Sequence, residues 1–310
     1  MTLEALQIMQ KPDAFSCGMM ALVGSIWGLH GPAVKCAFEA GFTFPQLVFG
    51  EYLVGSLAFG AAVLWQRTRL PQDKRFWSLL LTASVIGCGV PLFLFWAYRL
   101  GPVSIGATLL FLYVPFTQLL NFFVTRQIPS HRELVSAGLV IVGAAVAADF
   151  LSVANAENLR GAPFAVLSAL CFASFFVFTS RLGQDATPAI RSFVCCGVGG
   201  ILLPVFAALA GWTLLPSGPP PGQVVLWLLG LGIFGQVIPV YLMVHFGPRT
   251  GSALGSILTT TELPVAIIAS GIILGDRVGS AQIAGVLLVL TGIALPYLRS
   301  HQTTTTTIAL

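Results

Sequence analysis

Apolar positions along this chain gather into runs of roughly 20 residues, with short polar connectors between one run and the next. Ten runs stand out, at 14–36, 44–66, 76–98, 102–125, 132–151, 162–181, 188–211, 223–246, 250–274 and 280–298. A run of about 20 apolar residues crosses a bilayer as an α-helix. The pattern predicts an all-α polytopic membrane protein with ten transmembrane helices. Composition agrees: 56% of the residues are hydrophobic and only 8% charged, with a mean hydropathy of +0.90. A soluble domain carries about a quarter charged residues. The connectors are too short for an extramembrane domain, so the lipid bilayer is the expected surrounding.

Residues 1–13 (MTLEALQIMQKPD) are too polar for a cleaved signal sequence and read as a short cytoplasmic tail. Residues 299–310 (RSHQTTTTTIAL) read as a disordered cytoplasmic tail by composition. Orientation follows the lysines and arginines of the connectors. With the N-terminus inside, Lys11, Arg67, Arg69, Lys74, Arg75, Arg126, Arg132, Arg181, Arg191, Arg249 and Arg299 lie inside, against Lys35, Arg99, Arg160 and Arg277 outside. Both termini are therefore expected in the cytoplasm, with the chain in the inner (plasma) membrane. The net charge of +4 reflects this topology and gives no reason to invoke nucleic acid. All six cysteines (17, 36, 88, 171, 195, 196) fall within apolar runs, and none has zinc-ligand spacing. No metal or cofactor is expected.

A repeat organises the runs. Gly87-x3-Pro91-x9-Gly101-Pro102-x12-Pro115-x20-Ser136-x6-Gly143 is followed by Gly235-x3-Pro239-x7-Gly247-Pro248-x15-Pro264-x20-Gly285-x6-Gly292. The order matches at an offset near 148, about half the chain. The halves are 14–151 and 162–298, five runs each. Five is odd, so the second half starts from the opposite face of the membrane. The halves are then inverted repeats, an architecture in which secondary transporters bind substrate near the midplane.

TELPVAIIASGIILGDRVGSAQIAGVLLVLTG (261–292) and ALVGSIWGLHGPAVK (21–35) carry a family resemblance. The chain resembles the EamA-type branch of the drug/metabolite transporter superfamily: Glu and Pro, an apolar run, Gly-Asp-Arg and Gly-x6-Gly match that family's last two helices. The first half departs from the pattern, with TRQIPSHREL (125–134) where a Gly-Glu/Asp-Arg turn is usual. The resemblance implies ten helices and transport of small metabolites such as amino acids, drugs, nucleotide sugars or sugar phosphates. Short loops and 310 residues look more like its bacterial exporters, and an exporter of aromatic, hydrophobic or neutral amino acids is the member expected. A drug or other metabolite exporter is the alternative. The expected assembly is a monomer or loose dimer.

The candidate site is a midplane inventory, with depth counted at about 1.5 Å per residue. Glu262 lies thirteen residues from Arg249 and fourteen from Asp276, near the bilayer centre. Tyr113 is equally deep, and the two share the pattern Tyr113-x-Pro115 and Glu262-x-Pro264. A glutamate at that depth costs several kcal/mol unless paired, hydrated or protonated. Three roles stand open: carrying a coupling proton, binding a substrate ammonium, or capping backbone groups freed by Pro264. Gly87 with Pro91, and Gly235 with Pro239, predict kinks or local unwinding in the third and eighth runs, either as cavity walls or as packing kinks. Gln236 is the polar group expected beside the second break. Trp27, among Gly24, Ser25, Gly28 and Gly31, reads as a substrate-stacking ring or as packing, and needs an acceptor for its N–H. His30 and Glu51 are equally far from the first turn, so a helical hairpin brings them to one depth; His30 joins the substrate-binding candidates and Glu51 the proton-coupling ones. The first, third, fourth, sixth, eighth and ninth runs are expected to line the cavity.

Other classes lack their parts. Asp149 and Asp276 mimic an intramembrane diaspartyl pair, but both lie at run ends and ILGDRV (273–278) lacks the first glycine of Gly-x-Gly-Asp. IASG (268–271) has isoleucine where a serine protease would start Gly-x-Ser-Gly. Neither a His-Glu-x-x-His nor a phosphate-binding loop is present, which removes zinc proteolysis and ATP-driven pumping.

Overall fold

The computed structural model describes residues 13–67, 70–101, 103–126, 128–148, 157–182, 186–216, 218–273 and 279–295. The 1–12 and 299–310 segments, Arg69, Pro102, Asp149, Asp276 and Arg277 lie outside these residues. Among the described residues there is no β-strand, and the helices follow the apolar runs. They are α1 (Ala14–Glu39), α2 (Phe44–Gln66), α3 (Lys74–Leu100), α4 (Val103–Leu110), α5 (Tyr113–Thr125), α6 (His131–Ala147), α7 (Ala162–Thr179), α8 (Pro188–Ala210), α9 (Pro221–Leu231), α10 (Ile238–Thr250), α11 (Ser252–Leu258), α12 (Glu262–Ile273) and α13 (Ser280–Ala294). Local signals start them. Asp13 Oδ1 accepts from Ser16 N at 2.8 Å to cap α1. Ser130 and Glu133 form a capping box on α6, and Pro188 opens α8 behind Thr187.

Eight spans are long and apolar enough to cross a membrane, with α4–α5, α9–α10 and α11–α12 each counted as one. The fifth and tenth apolar runs hold shorter helices, α6 with 17 residues and α13 with 15. Outward faces are apolar, as at Ile201 and Ile272, the latter 79% exposed, which suits lipid and not water. The chain is a multi-pass membrane protein.

Proline explains the interruptions. Pro115 cannot donate to Phe111, and α4 gives way to α5 through a turn at 111–112, where Val114 N reaches Phe111 O at 3.1 Å instead. Pro264 stands in the same relation to a 3-10 turn at Thr259–Thr261 between α11 and α12. Pro239 removes the donor to Gly235, and Gly232–Val237 winds as a π-helix between α9 and α10. The unwinding expected at Gly87 and Pro91 is not found: α3 runs unbroken from Lys74 to Leu100. A Cβ on Gly87 would lie 2.9 Å from Phe175 Cδ2, so a ring from α7 fills the space beside this glycine. One missing bond is tolerated there without rewinding the helix.

Small residues set the helix contacts. Where α6 crosses α13, a Cβ on Gly143 would lie 2.7 Å from Gly285 O and one on Gly285 2.5 Å from Gly143 O. Ser136 Oγ donates to Gly292 O at 2.5 Å in the same crossing. Gly24 and Gly28 of α1 back onto the Thr259–Glu262 break. The main apolar core takes residues from the N-terminal halves of α1 and α3 (Met20, Leu80), the C-terminal halves of α7 and α10 (Phe176, Phe246), and α11 (Ile257). Because successive helices alternate in direction, these all lie toward the end of the bundle that holds Asp13. The opposite end has a small cluster, Ala37, Phe42, Leu47 and Leu231.

Candidate functional site

The π-helical break is where predicted site residues meet. Pro239 leaves the Gly235 carbonyl without its helical donor, and the indole Nε1–H of Trp27 donates to that oxygen at 3.0 Å. One turn along α1, the His30 ring lies directly on the Gly235 backbone, where any Cβ would overlap Cδ2 and Nε2. His30 Nε2 in turn meets Glu51 Oε1 of α2 at 2.8 Å, the pairing expected from the α1–α2 hairpin. Their side chains are 21% and 11% exposed.

Glu262, the first residue of α12, approaches the same group from the other side. Its backbone carbonyl would lie 2.5 Å from a Cβ on Gly28, and its carboxylate lies within electrostatic range of His30. Among the described residues that carboxylate has no hydrogen-bond or ion-pair partner. His30 thus pairs with the Glu51 carboxylate of α2, and the Glu262 carboxylate of α12 lies within electrostatic range of it. If both carboxylates are ionised, the three groups carry one net negative charge with the imidazole protonated and two with it neutral. Such a cluster has the chemistry to accept a proton or an ammonium group.

Two other predicted residues stand elsewhere. Tyr113 is 1% exposed, its ring stacked on Phe176 at 5.9 Å and tilted against Phe172 at 4.6 Å. Its hydroxyl donates to Ser256 O at 3.1 Å and lies 3.0 Å from Thr259 Oγ1. Tyr113 therefore joins α5 to the end of α11 and faces no cavity in this conformation. Phe172 links it to the site, because it also meets the Trp27 ring edge-on at 5.9 Å. Gln236 does not face the break: its Nε2 reaches Cys196 Sγ at 3.6 Å, beside Gly55. The π turn rotates it onto α2 and α8, away from Trp27 and His30.

Three residues of interest escape a midplane count. Arg191, His245 and Arg249 line a cavity of about 200 Å³ between the start of α8 and the end of α10. Arg191 and Arg249 read in the sequence as connector charges. The missed signal is that Arg191 falls inside the apolar run 188–211, where a cation is expensive.

Comparisons with known proteins place the chain among transporters. Across 304 residues the chain is 23% identical to a "Probable amino-acid metabolite efflux pump" of Salmonella typhimurium, covering 92% of this chain and 94% of that one. A solved crystal structure superposes with a TM-score of 0.73 at 18% identity, over 90% of this chain and 98% of the other, which shows a shared fold. One family model, the EamA-like transporter family, matches twice, at residues 14–148 and again at 159–298. Two matches of one transporter model leave only the ends and a short connector outside, and the chain belongs to the EamA-like transporter family.

Proposed function

We propose that the protein exports amino acids or closely related amines across the inner membrane by alternating access between two inverted five-helix halves. Glu262, with the His30–Glu51 pair, receives the substrate ammonium or the coupling proton. The observation that carries this reading is the cluster itself: an unpartnered carboxylate, an imidazole and a second carboxylate, gathered beside a proline-freed carbonyl at midspan. Nothing in packing alone favours two acids there. The printed name of the Salmonella relative supports the substrate class.

The repeat reading is supported by contacts that exchange between halves. Ser136 and Gly143 correspond to Gly285 and Gly292, so the Ser136–Gly292 and Gly143–Gly285 approaches are each other's images. Gly87 under Phe175 answers Gly235 under the α1 residues Trp27 and His30, and the breaks before Pro115 and Pro264 correspond. Ten helices follow if α6 and α13 complete the bundle as its short members. Among the described residues the larger buried cluster reaches the end that holds Asp13, and a smaller one lies at the opposite end. The conformation is then closed on the side of the termini, which the connector charges make cytoplasmic. Trp27 and His30 belong to the substrate site in this state, whereas Tyr113 belongs to the closed packing.

The test is uptake of a labelled amino-acid panel into proteoliposomes of the pure protein, each amino acid paired with its N-acetyl form. Saturable uptake lost on acetylation is expected. Equal handling of both forms, or none of either, removes the ammonium reading and leaves a drug or other metabolite exporter.

A further inference from the structure

A second polar site lies apart from the Glu262 cluster, at the end of the bundle that holds Asp13. Arg191, in the first turn of α8, is 4% exposed, and its Nε and Nη1 donate to nothing among the described residues. A buried guanidinium with idle donors is costly unless an anion sits against it. The cavity it lines is bounded by Ala186, Thr187 and Pro188, the positive end of α8, and by His245, Pro248 and Arg249 of α10. No acidic side chain lines it among the described residues. His245 Nδ1 is likewise buried without a partner. Aromatic rings fix both α10 groups: His245 stacks parallel to Tyr241 at 5.9 Å, and the Arg249 guanidinium sits 5.5 Å over the Phe246 ring. Asp13, the acid within electrostatic range of Arg249, is already engaged with Ser16 N as the α1 cap. Asp185 lies outside the described residues.

We propose that Arg191, His245 and Arg249 form an oxyanion-binding site on the cytoplasmic side, sized for a single carboxylate or phosphate group. All three side chains line one small cavity at the N-terminus of α8, and Arg191 Nε and Nη1 and His245 Nδ1 are buried without partners among the described residues. Arg191 supplies the charge-assisted hydrogen bonds, and Arg249 adds charge from the rim. The ligand group comes from a soluble metabolite or from an anionic lipid headgroup; the chemistry is shared. This site is independent of the transport reading, so it is tested by binding and not by flux.

Full-length protein in nanodiscs of zwitterionic lipid is titrated with acetate and with inorganic phosphate, and binding is read by saturation-transfer NMR for acetate and calorimetry for phosphate. Binding of at least one anion is expected. It should weaken about tenfold or more in Arg191→Gln and severalfold in Arg249→Gln, as loss of charge-assisted bonds implies. Arg249 is exposed, so its variant decides the matter if Arg191→Gln does not fold. A parallel titration in nanodiscs containing phosphatidylglycerol separates the sources: competition by that lipid in wild type, absent in Arg249→Gln, assigns the headgroup, and unchanged affinity assigns a soluble anion. Two results overturn the proposal. One is no anion binding in either lipid, or binding equal in wild type and both variants. The other is binding that emerges only in Asp185→Asn, which makes the chain's own carboxylate the occupant.

Discussion

Substituting Gly235 by alanine separates a helix position that needs glycine from one that merely has it. In an unconstrained helix the change stabilises by about 1 kcal/mol, since glycine has the poorer propensity. At Gly235 the new Cβ overlaps His30 Cδ2 and Nε2, and the ring must leave Glu51. Forcing a group into a packed position costs about 1–3 kcal/mol, which outweighs the propensity gain. Gly235→Ala should therefore unfold at lower temperature in detergent and lose most transport. Gly31→Ala is the internal control: nothing lies within 4 Å of its Cβ, and it should be neutral or stabilising. The mechanism also predicts non-additivity, because His30→Ala empties the space that the added methyl group needs. The double variant should resemble His30→Ala alone, in both stability and transport. If Gly235→Ala is as stable as Gly31→Ala, or if its cost adds in full to that of His30→Ala, the contact does not do what is claimed.

Two further substitutions divide the site by role. Trp27→Phe keeps the ring but removes the donor to Gly235 O; an unsatisfied carbonyl should cost about 1–3 kcal/mol, with a raised KM, read by thermal unfolding and uptake. Tyr113→Phe loses hydroxyl contacts whose partners keep other bonds, so stability should fall by about 1 kcal/mol or less with KM unchanged. A large KM shift in Tyr113→Phe would return that residue to the substrate surface.

Much of this architecture is legible in the sequence because lipid allows so few solutions. Apolar length alone gives the long spans, and proline marks where breaks fall before Pro115, Pro239 and Pro264, although Pro91 inside the unbroken α3 shows that a missing N–H does not by itself break a helix. The His30–Glu51 pair follows from equal distances to one turn. Side-chain direction is not legible in this way. Adjacency in sequence puts Gln236 beside the Gly235 break, but a π turn adds a residue and swings it toward Cys196. Tyr113 matches Glu262 in register, yet Phe172 and Phe176 occupy the places that Gly24 and Gly28 hold in the other half, and they bury its ring. Gly87 and Gly235 look alike in sequence and differ in their neighbours, a phenyl in one case and an indole with its own donor in the other. Such differences depend on partners about 40 to 210 residues away, which no local pattern encodes.

The decisive measurement compares gradient-driven accumulation with counterflow in Glu262→Gln proteoliposomes, using whichever amino acid the wild type takes up. A midplane carboxylate that carries the coupling proton predicts no accumulation under an imposed pH gradient, with exchange counterflow retained because the substrate can still bind and cross. Loss of both would make Glu262 a substrate contact and not the proton carrier. Full gradient-driven accumulation in Glu262→Gln would contradict the functional reading of that residue altogether and leave it as a cap for the Pro264 break.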